Sequence, residues 1–533
     1  MKGVRFAYMI GAFWIASAQI TAAISPAIYQ YSVPVGSARA YLWVPPACKQ
    51  VRGVVMAIAN LTERQWLEDP AVRKVSSDEC LGILWLGPGP EGNRVAAMDA
   101  DGKALLNRMF HDLSDASGFT ELTSAPLIPT GHSAHGMFAW NFAKSMPERT
   151  IAAIPIKTYP LPPDLDLPGI PMLYMVAETT EWPQYRDGRP GDRNFFWPVV
   201  RDSAIVLRTA DKNNLLGVVT DPGGGHFDWS QRQGRFLAFY IRKACEYRLP
   251  PRGAKGPVVL RPVKPESGWL TDTGGLEPDK FAPAPYSRYK GDAGKAYWSF
   301  DEETARAAAA FDGDRKQRPP QMLTFEQDGQ KLPVANIGYA ALRFQPDADG
   351  ITFHLKGAFL DEYPPELVQA GEKLGHAAAP IHFYVITGPA EQTGPDTFKV
   401  KFHRGDDDGH IWIEEEQDGD TVFRHAAQPG QIAIPPKLTE GTPQHITFAP
   451  IGDQHLAAGQ VELKATSDSG LPVRFFVVSG PAEIEGDTLR FTEFPSASHS
   501  PVKVIVTAYQ WGRMTAPAYQ SAEPKEQSFL LSR

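Results

Sequence analysis

Between Tyr41 and Leu249 short apolar runs alternate with longer amphipathic stretches, and that alternation constrains the fold more than any other feature of the chain. The apolar runs occupy residues 54–59, 81–86, 125–130, 151–156, 171–176 and 215–220, each of strand length. Residues 137–145 and 231–247 instead repeat apolar side chains at helical spacing. Strands apolar on both faces and separated by helices make a parallel sheet covered by helices, so this region is predicted to be an α/β domain.

After Leu249 the texture changes. Pro250, Pro251, Pro257, Pro262 and Pro265 mark a linker, and short alternating strands bounded by Gly, Pro and Asp clusters follow. Within that region only residues 300–311, acidic at the start and rich in alanine, read as a helix. Residues 381–391 (IHFYVITGPAE) are echoed at 473–483 (VRFFVVSGPAE), which predicts two tandem β-sandwich-like modules. The expected division is a leader at 1–23, the α/β domain at 24–262, a linker with one helix at 263–319, and all-β units at 320–437 and 438–533.

The 53 basic residues are outnumbered by 61 acidic ones, a formal charge of −8 with no basic arm, which argues against nucleic acid as a partner. No apolar run reaches the roughly 20 residues of a membrane-spanning helix. Lys2 and Arg5 precede an apolar stretch at 6–15, with small-residue exits at Ala16-Ser17-Ala18 and Thr21-Ala22-Ala23. This reads as a signal peptide, so export to a periplasmic or extracellular space is expected. An oxidising compartment allows one disulfide among Cys48, Cys80 and Cys245, with Cys48–Cys80 the preferred pairing and three separately buried thiols the alternative. Oligomeric state leaves no mark in the sequence.

Residues 127–137 (LIPTGHSAHGM) set Ser133 between an apolar strand and an amphipathic helix. Here the chain resembles the α/β-hydrolase family, whose nucleophile sits on a sharp strand-turn-helix elbow flanked by small residues. The resemblance implies a helix-covered hydrolase sheet and makes Ser133 the nucleophile. It departs from G-x-S-x-G because His135 stands at the second glycine position and Gly136 comes one place later. Family order is Ser, acid, His, which points to His226 in the glycine-rich loop 220–229 (TDPGGGHFDW) as the base. The acid is then Glu181, with Glu178 as the alternative, both following the run at 171–176. Oxyanion donors map to the backbone of Ala134 and of Asn60 or Leu61, although Asn60 serves equally as a turn former.

From about Gln444 onward the chain also resembles the immunoglobulin-like modules of secreted bacterial proteins, in residues 465–473 (ATSDSGLPV) and the Ser-Gly-Pro-Ala turn after them. Such a module serves either as a spacer or in glycan binding. The polar and aromatic insertion at 183–202, with Phe195, Phe196 and Trp197, forms either a lid or a loop whose aromatics anchor it to the core. His132 with His135, and His403 with Asp406, Asp407, Asp408 and His410, lack a convincing ligand set, so no metal is expected; the second group reads as a turn. No Walker loop or dinucleotide fingerprint follows a strand, so no cofactor is implied.

These readings converge on an exported serine carboxylic-ester hydrolase. Similar modular members of the family deacylate plant polysaccharides, so acetyl or feruloyl esters of polysaccharides or oligosaccharides are the expected substrates. The alternatives are a polyester depolymerase and a non-catalytic carbohydrate-binding or surface protein on a hydrolase scaffold.

Overall fold

The computed structural model describes residues 28–178, 181, 196–254, 256–274, 279–334, 338–364, 371–406 and 408–533. The leader and most of the 183–202 insertion lie outside them. The central sheet has eight strands: β1 Tyr31–Val35, β2 Ala38–Trp43, β3 Gly53–Ile58, β4 Leu81–Leu86, β5 Leu127–His132, β6 Ile154–Ile156, β7 Met172–Ala177 and β8 Leu216–Asp221. Their spatial order is β1-β2-β4-β3-β5-β6-β7-β8. The pairs β1/β2 and β2/β4 are antiparallel and the remaining neighbours run parallel. This is the α/β-hydrolase strand order, and the fold class read from the sequence holds.

Among the described residues seven α-helices accompany the sheet: α1 Glu63–Glu68, α2 Pro70–Glu79, α3 Glu91–Ala97, α4 Ala100–Ser117, α5 Met137–Ser145, α6 Trp197–Ala210 and α7 Gln231–Arg248. β3, β4, β6 and β7 are apolar and buried along their whole length because both faces are covered. Val54, Met56 and Ile58 of β3 share a core with Leu106, Phe110 and Leu113 of α4. Val55 and Ala57, one step out of phase, join Val72 of α2 and Leu237 and Ile241 of α7 on the other face. Each Val, Leu, Ile, Met or Phe among these contributes about 1.5–3 kcal/mol on burial.

Cys48 and Cys80 are disulfide-bonded, which settles the choice against three separate thiols and ties the approach to β3 to the end of α2. Cys245 is buried, and burial pushes its thiol pKa well up, leaving it unreactive.

The stretch expected as a linker is packed instead. Trp298, Phe300 and Phe311 enter the same apolar core as α7, and Phe300 stacks on Tyr247 at 5.1 Å. A helix at Glu302–Gln317 is capped by Asp301, which accepts the Thr304 N–H at 2.8 Å. Of the prolines that suggested a linker, Pro265 is buried at the start of a 3-10 turn, Pro265–Ser267. Phe196 and Trp197, at the start of α6, are also buried in a core, so these two aromatics anchor the insertion rather than wall a site.

Two further β units follow. In the first, a four-stranded sheet includes strands His382–Thr387, His410–Gln417 and Ala426–Ala433, and a three-stranded sheet includes Thr397–Val400. In the second, Arg474–Ser479 and Val502–Tyr509 pair in the same manner as His382–Thr387 and His410–Gln417. Both pairs carry a register shift at equivalent positions, Val385/Thr387 and Val477/Ser479, so the sequence repeat is also a repeat of structure.

Strand His410–Gln417 is covered on both faces. Ile411 and Ile413 enter the core of their own unit, whereas Trp412 joins the hydrolase core. Glu415 is fully buried, and among the described residues neither carboxylate oxygen has a hydrogen-bond partner. Burial holds its pKa well above the carboxylate range. A raised acid stabilises the fold fully only below its unfolded pKa, and that contribution is lost as pH rises toward the folded value. Glu415→Gln is therefore expected to stabilise the protein at neutral pH, by about 1.4 kcal/mol more for each pH unit across that window. Urea titrations at pH 5 and pH 8 check this; an equal effect at both pH values would contradict it.

Candidate active site

β5 is fully buried and contains Pro129, which has no N–H to give a sheet ladder. The strand changes partner there: residues up to Pro129 pair with β3, and Thr130 onward pairs with β6. The chain then turns sharply at Ser133, whose φ of 51° lies in the left-handed region. Strain of this kind costs roughly 1–3 kcal/mol in a residue other than glycine and concentrates at functional sites. Room for the turn comes from two glycines. A Cβ on Gly131 would sit 2.2 Å from the His135 carbonyl oxygen, and one on Gly136 would sit 2.4 Å from Thr158. Gly136 therefore does the packing that the family motif assigns to the preceding position.

His135 is accommodated on the opposite side. Its Nδ1 lies 2.9 Å from the Ala59 carbonyl oxygen and its Nε2 meets the Asn93 carboxamide at 3.1 Å, beside Gly92. Nε2 faces the Asn93 Oδ1, and burial lowers the pKa of the ring.

Ser133 Oγ donates to His226 Nε2 at 2.9 Å. His226 Nδ1 faces Glu181 Oε1 at 3.4 Å, the long end of hydrogen-bond reach and common in sites without substrate. Glu181 is fixed by the Ala177 N–H, donated to Oε2 at 2.7 Å. Glu178 goes elsewhere. Its Oε2 accepts the Gly223 N–H at 2.8 Å, and its Oε1 lies 2.8 Å from Arg424 Nη2, an ion pair out of line for a hydrogen bond. The structure thus brings Ser133, His226 and Glu181 together and places Glu178 in a contact with the first β unit.

The histidine loop is pinned rather than flexible. Asp221 and Asp228 flank its glycines, and both carboxylates meet the fully buried Lys157 ammonium. Gln233 Nε2 bridges the same pair, at 2.6 Å from Asp221 and 3.0 Å from Asp228. A Cβ on Gly224 would fall 2.2 Å from Asp221 Oδ2, so the ion cluster requires glycine there. From the other side, Trp229 donates its N–H to Glu414 at 3.0 Å and accepts from the Tyr384 hydroxyl. Burial and the Lys157 charge hold the His226 pKa down at about 3. Burial raises Glu181 to about 8, against the opposing pull of Lys157.

His132 underlies this arrangement. Its Nε2 donates to the His226 carbonyl oxygen at 2.7 Å, and its ring lies 4.9 Å from that of His226. The Asn60 carboxamide approaches His132 Nδ1 at 3.4 Å and donates to the His132 carbonyl oxygen at 3.2 Å. His132 Nε2 is therefore committed to a hydrogen bond, while Nδ1 has only the long Asn60 contact.

The oxyanion assignments divide. Ala134 directly follows the nucleophile in the 3-10 turn Ser133–His135, where the expectation places its N–H. The backbone N–H groups of Asn60 and Leu61 do not face the site. They donate to Glu63 Oε2 at 3.0 and 2.7 Å, while Glu63 Oε1 accepts the His132 N–H at 2.9 Å. The expectation that either supplies a backbone donor is corrected by this buried carboxylate, whose pKa burial raises to about 7 despite the three bonds. Sequence reasoning missed Glu63, Lys157 and Asp228. The available signals were a lysine closing an apolar strand and two aspartates bracketing a glycine run.

In the His403–His410 turn, Asp406 accepts from Arg64 Nη1 at 3.0 Å and from the His403 N–H at 2.8 Å, so its charge is matched within the protein. Asp407 lies outside the described residues.

No family model and no curated protein matches the chain. Among solved structures it is similar to LpqC, a poly(3-hydroxybutyrate) depolymerase from Bordetella parapertussis, at 17% identity over 42% of this chain and 93% of that one, with a TM-score of 0.29. It is also similar to Est1E from Butyrivibrio proteoclasticus, at 11% identity over 41% and 99%, TM-score 0.29. A third likeness is to the enterobactin esterase FES from Shigella flexneri, at 11% identity over 39% and 55%, TM-score 0.27. The fold assignment rests on the strand order itself.

Proposed function

We propose that the protein is a serine carboxylic-ester hydrolase that works through an acyl-enzyme. The observation that carries this reading is the 2.9 Å hydrogen bond from a serine held at positive φ to a buried histidine backed by a glutamate. A non-catalytic scaffold leaves the strained turn without a purpose. In the proposed reaction Ser133 Oγ attacks the ester carbonyl as its proton passes to His226 Nε2. His226 returns that proton to the departing alcohol, and water repeats the sequence to release the acid. Glu181 orients the imidazole and balances its charge.

The Ala134 N–H is one oxyanion donor in this reading. With the backbone of Asn60 and Leu61 committed to Glu63, the second donor is the exposed Asn60 carboxamide, whose 3.4 Å contact with His132 is long enough to be exchanged. Asn60→Ala is expected to lower kcat about 100-fold with a small change in KM, as loss of a single oxyanion donor does. An unchanged kcat would move the donor elsewhere.

The substrate class is a polysaccharide- or oligosaccharide-derived ester, acetyl or feruloyl, and the setting is outside the cytoplasm. The short leader with its basic start supports export, as does a disulfide in the hydrolase domain. The test is acid release by the purified mature protein from acetylated, feruloylated and simple aryl esters. Turnover of the saccharide esters supports the reading, and inertness toward the whole panel would overturn it.

A further inference from the structure

The first β unit is not a detached spacer, because it grips the histidine loop at both ends. At the far end Phe227, whose ring lies 4.7 Å from that of His226, packs on Trp412 at 4.7 Å and on Tyr339 at 5.6 Å, and Trp229 is bonded to Glu414 and Tyr384. At the near end the loop leaves β8 through Pro222 and Gly223. Proline has no N–H, so a hydrogen bond that holds Pro222 must be made at its carbonyl oxygen. That oxygen faces Nδ1 of His425 at 3.2 Å.

His425 is buried immediately before strand Ala426–Ala433, and its Nε2 meets Glu416 Oε1, on the adjoining strand, at 2.7 Å. A carbonyl and a carboxylate are both acceptors, so both ring nitrogens donate and the ring is an imidazolium. Burial works against that charge, but the Glu416 carboxylate outweighs it and keeps the His425 pKa above the ordinary histidine value. The His425 backbone shapes the same turn: a Cβ on Gly223, at a φ of 73°, would fall 2.2 Å from the His425 carbonyl oxygen. Only glycine lets the loop come this close.

The two glycines tie this end of the loop to the segment that carries the acid. The Gly223 N–H donates at 2.8 Å to Glu178 Oε2, an acceptor that a glutamine would also offer, and the Glu178 N–H donates to the Gly224 carbonyl oxygen at 3.1 Å. Glu178 lies three residues before Glu181, and Gly223 three before His226. A turn displaced at Pro222 therefore shifts His226 against Ser133 and against Glu181, whose 3.4 Å contact with the imidazole has no slack to lose.

We infer that His425 of the first β unit is a positioning residue for His226, setting the base against Ser133 and Glu181 through the Pro222 carbonyl. The inference rests on the ester-hydrolase reading and adds a residue from outside the hydrolase domain on which the base depends.

The test replaces His425 in the full-length mature protein and follows 4-nitrophenyl acetate hydrolysis, with urea titration to normalise for folded protein. His425→Leu should lower kcat about 10- to 100-fold with KM within about twofold of the parent, as misplacement of a catalytic group does. His425→Asn, whose NH2 reaches the place of Nδ1, keeps a donor for Pro222 and should return kcat to within about threefold of the parent. His425→Gln, whose NH2 reaches the place of Nε2 beside Glu416, should not. Comparison of these two variants also decides the matter where the leucine variant does not fold. In a His226→Ala background, His425→Leu should change the residual rate less than about twofold, because the residue acts only through the base; a general loosening of the site would lower it further. A kcat in His425→Leu within about twofold of the parent, or equal kcat values in the Asn and Gln variants, would overturn the positioning role while leaving the hydrolase reading intact. Failure of the parent to turn over the ester, with Ser133 unlabelled by a fluorophosphonate, would overturn both.

Discussion

Ser133→Ala is expected to reduce ester turnover by at least about 10⁴-fold, and His226→Ala by a similar factor. The two effects should not multiply. Ser133 and His226 act as one unit through the bond between Oγ and Nε2, so removing either disables the proton transfer that both serve. Residual rate over the uncatalysed reaction would come from the Ala134 N–H and from substrate binding. Neither substitution should unfold the protein. Ser133→Ala relieves no buried charge, and His226 is held neutral by burial and by Lys157. Kinetics on an aryl ester, with circular dichroism to verify folding, separates this outcome from simple destabilisation.

The second large effect distinguishes the two glutamates. Glu181→Gln removes the carboxylate facing His226 Nδ1 and should lower kcat about 10³- to 10⁴-fold, because an amide neither fixes the tautomer reliably nor balances an imidazolium. Glu178→Gln should instead leave kcat per folded molecule near that of the parent and destabilise the fold, because it removes the buried carboxylate that meets Arg424 Nη2 at 2.8 Å. Paired urea titrations and initial rates check both halves, and the reverse pattern would exchange the roles. Glu181 also sets a pH dependence. With its pKa raised to about 8, the carboxylate is protonated at neutral pH and becomes the ionised partner of His226 only as pH rises. kcat/KM should therefore climb between about pH 6 and pH 9, and a profile flat across that range would contradict the assignment.

Much of the hydrolase half was legible because its determinants are local. A strand, a serine with glycines close on either side and a helix follow one another within residues 127–145, and apolar periodicity places the strands around them. The glycine-rich loop announced His226 in the same way. What escaped was set by contacts distant in sequence. Nothing near Asn60 indicates that Glu63 will turn its carboxylate back onto the loop and onto the His132 N–H, and that fold-back is what removes the expected oxyanion donors. Lys157 joins Asp221 and Asp228 across more than sixty positions, so its role emerges only when β6 and β8 are brought to the same end of the sheet. The prolines after Leu249 read as a linker, but Trp298, Phe300 and Phe311 share an apolar core with α7. Likewise Trp412 reads as an ordinary inward residue of a β strand, and only the second covered face of that strand reveals its place against Phe227.

The central claim is that Ser133 is an activated nucleophile, and covalent labelling tests it most directly. The purified mature protein would be treated with a fluorophosphonate probe and the modified peptide located by mass spectrometry. The account predicts a single adduct on Ser133, formed rapidly in the parent, much more slowly in His226→Ala and not at all in Ser133→Ala. Absence of labelling in the folded parent, or an adduct on another residue that leaves Ser133 unmodified, would contradict it.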